Sequence, residues 1–496
     1  MSSRKTNFDS LIEIASARAR ANGNRVLVSL TESIDAADPL AVLERVVSRA
    51  PSSEIARELI STGQMYWSRP GDSFAMAGVG AAATFENSGP GRFAAIDHEW
   101  KSMIQSAVVK GPRASIPGTG PVLMGGFSFE PNGPRTELWS GFGSSNLVIP
   151  ALLITSSSGE SWLTINAIVS GDGQTNIDTI ALTSLADSVL RASSRLEAEA
   201  IVSDDVSSLS LSSDVEWRKL VSRAVEQIRN GQLEKVVVAR AVHAFSTRTI
   251  DVFTMLRLLE SVHTQSFVFG VWQSGRAFAG ATPERLVRLS GRLVEASSLA
   301  GTIERGATAS EDAANVSRLR QSAKDLAEHA AVREELVAAL TANCDDVRAP
   351  AEPSVFTLPH VHHLHTPLHA RLRDNSSLLD LVANLHPTPA VGGSPRDEAL
   401  QFIAEHENLD RGWYASPVGW IDGNGGEFAV ALRSALIDEN EAILFAGCGI
   451  VADSDPDLEL AESNLKLQAM QSAIEASVSA PAVDYIEVTI GSELVD

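Results

Sequence analysis

Two short acidic spacings carry the first chemical signal in this sequence. Asp325 and Glu328 stand three residues apart in SAKDLAEHAAV, and Glu459, Glu462 and Lys466 follow at i, i+3 and i+7 in DLELAESNLKLQ. On helices, each set shares a face. If two such helices face one another, four carboxylates gather around one point, and the cluster repels itself unless a cation neutralises it. All-oxygen ligands select a hard cation such as Mg²⁺. Acids at this spacing also occur on solvated helix faces, so a plain structural reading stays open beside the metal reading.

Other residue types add to the set. Arg433 lies in FAVALRSALI; in a strand it shares a face with Ala429, Ala431 and Ala435, which leaves room for its fork to grip a carboxylate. The other reading of Arg433 is the solvent side of an edge strand. In LFAGCGIV, Gly447 and Gly449 allow backbone N–H groups to approach a ligand, or they simply serve a turn. Lys235 opens KVVVARAV and Glu284 follows Ala281-Thr282-Pro283; on opposite walls of a pocket they form a base/acid pair if burial lowers one pKa and raises the other. His386 opens the rigid loop His386-Pro387-Thr388-Pro389-Ala390. Five of the eleven histidines, His360, His362, His363, His365 and His369, fall within ten residues. Zinc is the sharp reading, but an extended HVHHLH throws neighbours to opposite faces, and a Cys set or matching distant His pair is lacking. A strand histidine lining a pocket is the expectation.

The elements that must position these groups follow from periodicity. Apolar residues at helical spacing predict long helices over 309–342 and 456–476. Strands are predicted over 235–243, 267–273, 277–281, 285–289, 428–437 and 442–451, and in the first half over 25–30, 73–78, 122–129, 147–156 and 161–169, with a helix over 177–199. Strands in hairpin-like succession with helices inserted as blocks imply an α+β fold. The Ser/Asp-rich stretch 203–214 reads as a connector, dividing an N-terminal part (1–205) from a C-terminal part (214–478), with a tail over 479–496. Neither GxGxxG after a strand nor GxxxxGK[ST] occurs, so no nucleotide-binding fingerprint is present.

The 496 residues are 44% hydrophobic and 21% charged, an ordinary globular composition. Forty Lys+Arg against 62 Asp+Glu leave a net charge of −22, which opposes nucleic acid and anionic membranes as partners. An anionic substrate must then be captured by a few local cations. Two cysteines, Cys344 and Cys448, fit a reducing compartment, and neither a secretory leader nor a run of apolar residues long enough to span a bilayer is seen; the expectation is a cytoplasmic protein.

Ten segments occur in order: EKVVVARAV, GATPERLVRLSG, SLAGTIERG, SAKDLAEHAAVREEL, HVHHLHTPLHARL, NLHPTPAVGGSP, LDRGWYASPVGW, GGEFAVALRSALI, LFAGCGIVADSDP and AESNLKLQAM. Together, over 216–477, they resemble the chorismate-binding enzymes, the family of isochorismate, salicylate, anthranilate and aminodeoxychorismate synthases. The first half resembles the variable first half of those enzymes only loosely. The resemblance implies one α+β unit with two large antiparallel sheets stacked face to face and helices outside. It implies Mg²⁺ held directly by Glu328 and Glu462, with Asp325 and Glu459 holding metal-bound water. It further implies that Arg433, Lys466 and the amides of Gly447 and Gly449 hold the substrate's carboxylates. Gly301, Thr302 and Tyr414 match pocket-lining positions, His363 matches a histidine near the ring, and His386 heads the loop beneath it.

Within the family, water-using members resemble this chain in having Lys at the position of Lys235, where ammonia-using members have Gln. Aminodeoxychorismate synthases often carry a nucleophilic Lys where this chain has Ala300, in Leu299-Ala300-Gly301-Thr302, and no glutaminase motif is present. The resemblance therefore implies isochorismate synthase chemistry: Lys235 takes a proton from water attacking C2 of chorismate, and Glu284 protonates the departing C4 hydroxyl. The motif dialect and length lean toward menaquinone members, with siderophore members and salicylate synthases as the alternatives. No glutaminase subunit is expected.

Overall fold

Alternating apolar residues build strands in both halves of the chain, and their ladders join into one hydrogen-bonded network with two arms. The computed structural model describes residues 3–48, 54–112, 116–192, 207–210, 214–359 and 361–478. The network branches at two long paired strands, Phe74–Phe85 and Ser145–Ser157. One arm runs through Gln64–Arg69, Phe267–Gln273, Arg276–Thr282, Ser434–Asp438 and Glu441–Ile450 to Lys235–Phe245. The other runs through Leu123–Phe127, Pro417–Ile421, Gly425–Val430, Arg285–Ser290 and Leu293–Glu304 to Val361–Leu372. A side branch, Glu160–Val169 and Val26–Ile34, extends from Ser145–Ser157 and ends in a parallel pairing with Val108–Lys110. Among the described residues no helix is long and apolar enough to cross a membrane.

The architecture is α+β, and both arms pass between the first and second halves of the chain. Gln64–Arg69 pairs with Phe267–Gln273, and Leu123–Phe127 pairs with Pro417–Ile421. The stretch 203–214, most of which lies outside the described residues, thus divides the sequence without dividing the ladders. The tail 479–496 and His360 also lie outside the described residues.

An aromatic cluster fastens the halves together. Trp139 stacks on Phe445 at 5.5 Å and meets Phe278 edge-on at 5.1 Å. It also explains a glycine: a Cβ on Gly412, which has φ +50°, would lie 2.0 Å from the Trp139 ring.

Two elements differ from expectation, and both differences reshape the site. The helix expected over 309–342 is two, Ala309–Gln321 and Ala323–Thr341. Ser322 leaves helical geometry between them, and its hydroxyl accepts from the Asp325 amide, so a new helix begins there. The strand expected over 428–437 is also two, Gly425–Val430 and Ser434–Asp438, one in each arm. The chain crosses between arms at Ala431–Arg433, and Arg433 adopts left-handed geometry with φ +48°.

Candidate active site

The far ends of the two arms meet across a cavity of about 330 Å³, within the size range of small-molecule sites. Strands Lys235–Phe245 and Glu441–Ile450 supply one wall, Leu293–Glu304 and Val361–Leu372 another, and helices Ala323–Thr341 and Pro456–Val478 bring the acids. Fourteen of the fifteen residues singled out in the sequence line it: Lys235, Glu284, Gly301, Thr302, Asp325, Glu328, His363, Tyr414, Arg433, Gly447, Gly449, Glu459, Glu462 and Lys466. His386 does not. It caps the helix Leu378–Leu385 and lies buried, edge-on to Phe93 and Phe129. Its neighbours Ala390 and Val391 reach the lining instead, because the loop turns toward the cavity only after His386.

Lysine and carboxylate alternate around the walls. Lys235 donates to Glu328 Oε1 at 2.7 Å, and Lys466 pairs with Glu462 at 2.7 Å while also donating to the Gly447 carbonyl at 2.8 Å. Gly449 makes the first pair possible: a Cβ there would stand 2.7 Å from Lys235 Cε. At Gly447 the carbonyl is engaged, toward Lys466, where the amide was expected to serve a ligand. Glu284 is buried, and its carboxyl receives no hydrogen bond among the described residues. Burial pushes its pKa up to about 7 against the opposing pull of Lys235 and Lys466.

The turn that carries Glu284 also fixes Arg433. Thr282 Oγ1 donates to the Val430 carbonyl at 2.6 Å, Val430 N donates to the Glu284 carbonyl at 3.0 Å, and Ala281 N donates to the Arg433 carbonyl at 3.1 Å. Gly280 allows that approach, since a Cβ there would stand 2.6 Å from the same carbonyl oxygen. A left-handed arginine costs on the order of 1–3 kcal/mol, a strain that active sites tolerate for placement. The Arg433 guanidinium has no ion-pair partner among the described residues, and burial lowers its pKa. It is free for an anion.

Uncharged groups complete part of the lining. Tyr414 stacks on Phe445 at 5.2 Å, and burial raises its hydroxyl pKa to about 12, so it stays a phenol. Thr302 bonds His363 Nδ1 at 2.9 Å, and burial beside Arg433 and Lys466 drives the His363 pKa down to about 3, leaving it neutral. The other histidines do not converge. His362 points away to Asp312 at 2.9 Å, and His365 packs on Phe356. Neighbouring histidines of this strand face opposite sides, as its alternation requires.

Two of the acids gather as a hard cation would need. Oxygens of Glu459 and Glu462 and the Cys448 sulfur all lie within 4.8 Å of one another. Burial pushes the Cys448 thiol far up and its Sγ is turned to the Glu459 carbonyl at 3.4 Å, which leaves carboxylates as the available donors. Burial and the adjacent Glu462 charge raise the Glu459 pKa.

Sequence reasoning missed Lys324 and Arg411, which also line the cavity. Lys324 adjoins Asp325 in a segment read only for its acids. Arg411 sits in the RGWYAS segment, read only for Tyr414. It is a buried strut, paired with Glu407 at 2.6 Å and donating to the carbonyls of Val237 and Val391 at 2.7 and 2.9 Å.

Comparison with known proteins agrees with this geometry. The family described as chorismate binding enzyme matches residues 13–475. The salicylate biosynthesis isochorismate synthase of Pseudomonas aeruginosa is 38% identical over 468 residues, 94% of this chain and 93% of that protein. Isochorismate synthase MenF of Bacillus subtilis is 34% identical over 462 residues, 92% and 95% of the two chains. The solved structure of MenF, the menaquinone-specific isochorismate synthase of Escherichia coli, has the same fold, with a TM-score of 0.72 at 23% identity over 94% of this chain and 99% of that one. With a match that spans both arms and every wall of the cavity, this chain belongs to the chorismate-binding enzymes.

Proposed function

We propose that this protein is a cytoplasmic, Mg²⁺-dependent isochorismate synthase. The observation that carries the reading is the placement of Lys235 and Glu284 on the same cavity, with Glu284 near pKa 7 and so able both to give and to accept a proton at neutral pH. Two relatives that match more than nine-tenths of the chain carry the same activity in their names.

The chemistry exchanges one hydroxyl for another. Lys235, in its neutral form, takes a proton from the water that attacks C2 of chorismate. The ring double bond shifts, the C4–O bond breaks, and Glu284 gives its proton to the departing hydroxyl, which leaves as water. Arg433 and Lys466 hold the substrate's carboxylates, and the stacked Tyr414 gives the ring a flat apolar wall. Glu328 and Glu462, with Asp325 and Glu459 behind them, would hold Mg²⁺, which when bound neutralises the acids and orients the ring carboxylate. Water as the nucleophile calls for no glutaminase subunit. Both cysteines are free and buried, in keeping with a reducing compartment.

The two relatives divide between salicylate biosynthesis and MenF, so the product is the point to measure. Purified protein incubated with chorismate and Mg²⁺ should yield isochorismate alone, and supply to menaquinone is the reading the MenF match favours. Salicylate with pyruvate would identify a salicylate synthase, and turnover that requires ammonia would overturn the water reading.

A further inference from the structure

A dianionic substrate must reach this cavity through the field of a protein with a net charge of −22. The lining itself offers no net attraction. Its acids, Glu284, Asp325, Glu328, Glu459 and Glu462, equal its five cations in number, and three of those cations are held by carboxylates: Lys235 by Glu328, Lys466 by Glu462 and Arg411 by Glu407. Arg433 is unpaired but deep. Lys324 remains. It is the one exposed residue in the cavity lining, which puts it at the rim, and it pairs with no carboxylate among the described residues. It also stands in the first turn of the helix Ala323–Thr341, where the helix dipole disfavours a cation. Local helix stability therefore does not account for a lysine there.

We propose that Lys324 is the entry cation of this site: it draws a dicarboxylate to the rim and passes it inward to Arg433, setting the rate of capture without taking part in the chemical step. The inference rests on the isochorismate synthase reading for the identity of the dicarboxylate. Electrostatic steering into a cleft raises association rates by about 10–10³-fold, and at this rim Lys324 is the cation placed to supply it.

The test compares the parent with Lys324→Gln, Lys324→Glu and Lys324→Arg, using chorismate as the probe. At low ionic strength the Gln variant should lose about tenfold in kcat/KM, the Glu variant more, and the Arg variant little, with kcat unchanged in all three. In about 1 M salt, where the screening length falls to about 3 Å, the differences should disappear. A fall in kcat at constant KM, or a loss that salt does not erase, would overturn the entry role. Binding of chorismate, followed by tryptophan fluorescence at both salt concentrations, separates the two ideas. A parent that binds chorismate without converting it refutes the activity alone, and the salt dependence of binding in parent and Lys324→Gln then decides the entry role: different slopes support it and equal slopes overturn it.

Discussion

Lys235 Nζ lies 2.7 Å from Glu328 Oε1, so the group proposed to activate water is held by a carboxylate proposed to bind the metal. A lysine engaged by that carboxylate cannot turn its amine toward an incoming water. Whatever engages Glu328 therefore releases Lys235 to act.

This relationship predicts competition between lysine and cation. Lys235→Ala leaves Glu328 without its partner and should bind a divalent ion more tightly than the parent, as measured by calorimetry with Mg²⁺ or Mn²⁺. Weaker binding in the variant would show that Lys235 does not occupy that carboxylate at the metal's expense.

The acid–base pair fixes the pH dependence and its sign. Glu284, near 7, takes up a proton as pH falls through about 7. Neutral lysine with protonated glutamic acid, the form active from chorismate, holds one proton; so does ammonium with carboxylate, the form active from isochorismate. Turnover in both directions should therefore fall together as pH drops below about 7. Glu284→Gln should lose about 10²–10⁴-fold and flatten this limb. Opposite pH profiles for the two directions would contradict the pairing.

Gly449 tests placement without touching charge. In Gly449→Ala the new methyl would stand 2.7 Å from Lys235 Cε, and the flexible side chain must move. Thermal stability should change little, while kcat should fall on the order of 10²-fold from an ångström-scale displacement. Full activity in the alanine variant would mean that Lys235 does not act from this position.

Arg433 should show a trade between stability and activity. Arg433→Gly removes the substrate's free anion partner, and losing such a pair costs about 2–5 kcal/mol, roughly 30-fold to several thousand-fold in kcat/KM. The same change relieves left-handed strain at φ +48° and unburies nothing polar, so the melting temperature should hold or rise. A variant that loses stability and keeps kcat/KM would assign Arg433 to the fold.

His386 should be felt in acid and not in turnover. Burial, with Arg92 nearby, lowers its folded pKa to about 3 from an unfolded value near 6.5. A depressed pKa contributes stability that is complete above about 6.5 and is lost as pH falls toward 3. His363 acts in the same sense. His386→Phe, in a pocket already walled by Phe93 and Phe129, should flatten the fall in melting temperature between about pH 6.5 and 4. Parallel melting curves would show that His386 is charged in the folded state.

The sequence by itself pointed to fourteen of the residues that line the cavity. Residue type and spacing put Asp325 with Glu328 and Glu459 with Glu462 on helix faces, and alternation in HVHHLH set His362 and His363 on opposite sides. Such relations are local, fixed by the 3.6- and 2-residue periods of the backbone. Only tertiary structure decided the rest. Strand periodicity placed Arg433 mid-strand, but the crossing between arms bends the chain there. The apolar run over 309–342 reads as one helix until Ser322 accepts the Asp325 amide and starts a second, a hydrogen bond that periodicity does not record. The motif makes His386 the head of the loop beneath the ring, and the contacts of Phe93 and Phe129 from the first half decide where its own ring lies. The pairing of Lys235 with Glu328 joins residues 93 apart. Contacts of that reach depend on which strands the whole network brings together, and no window of sequence contains that information.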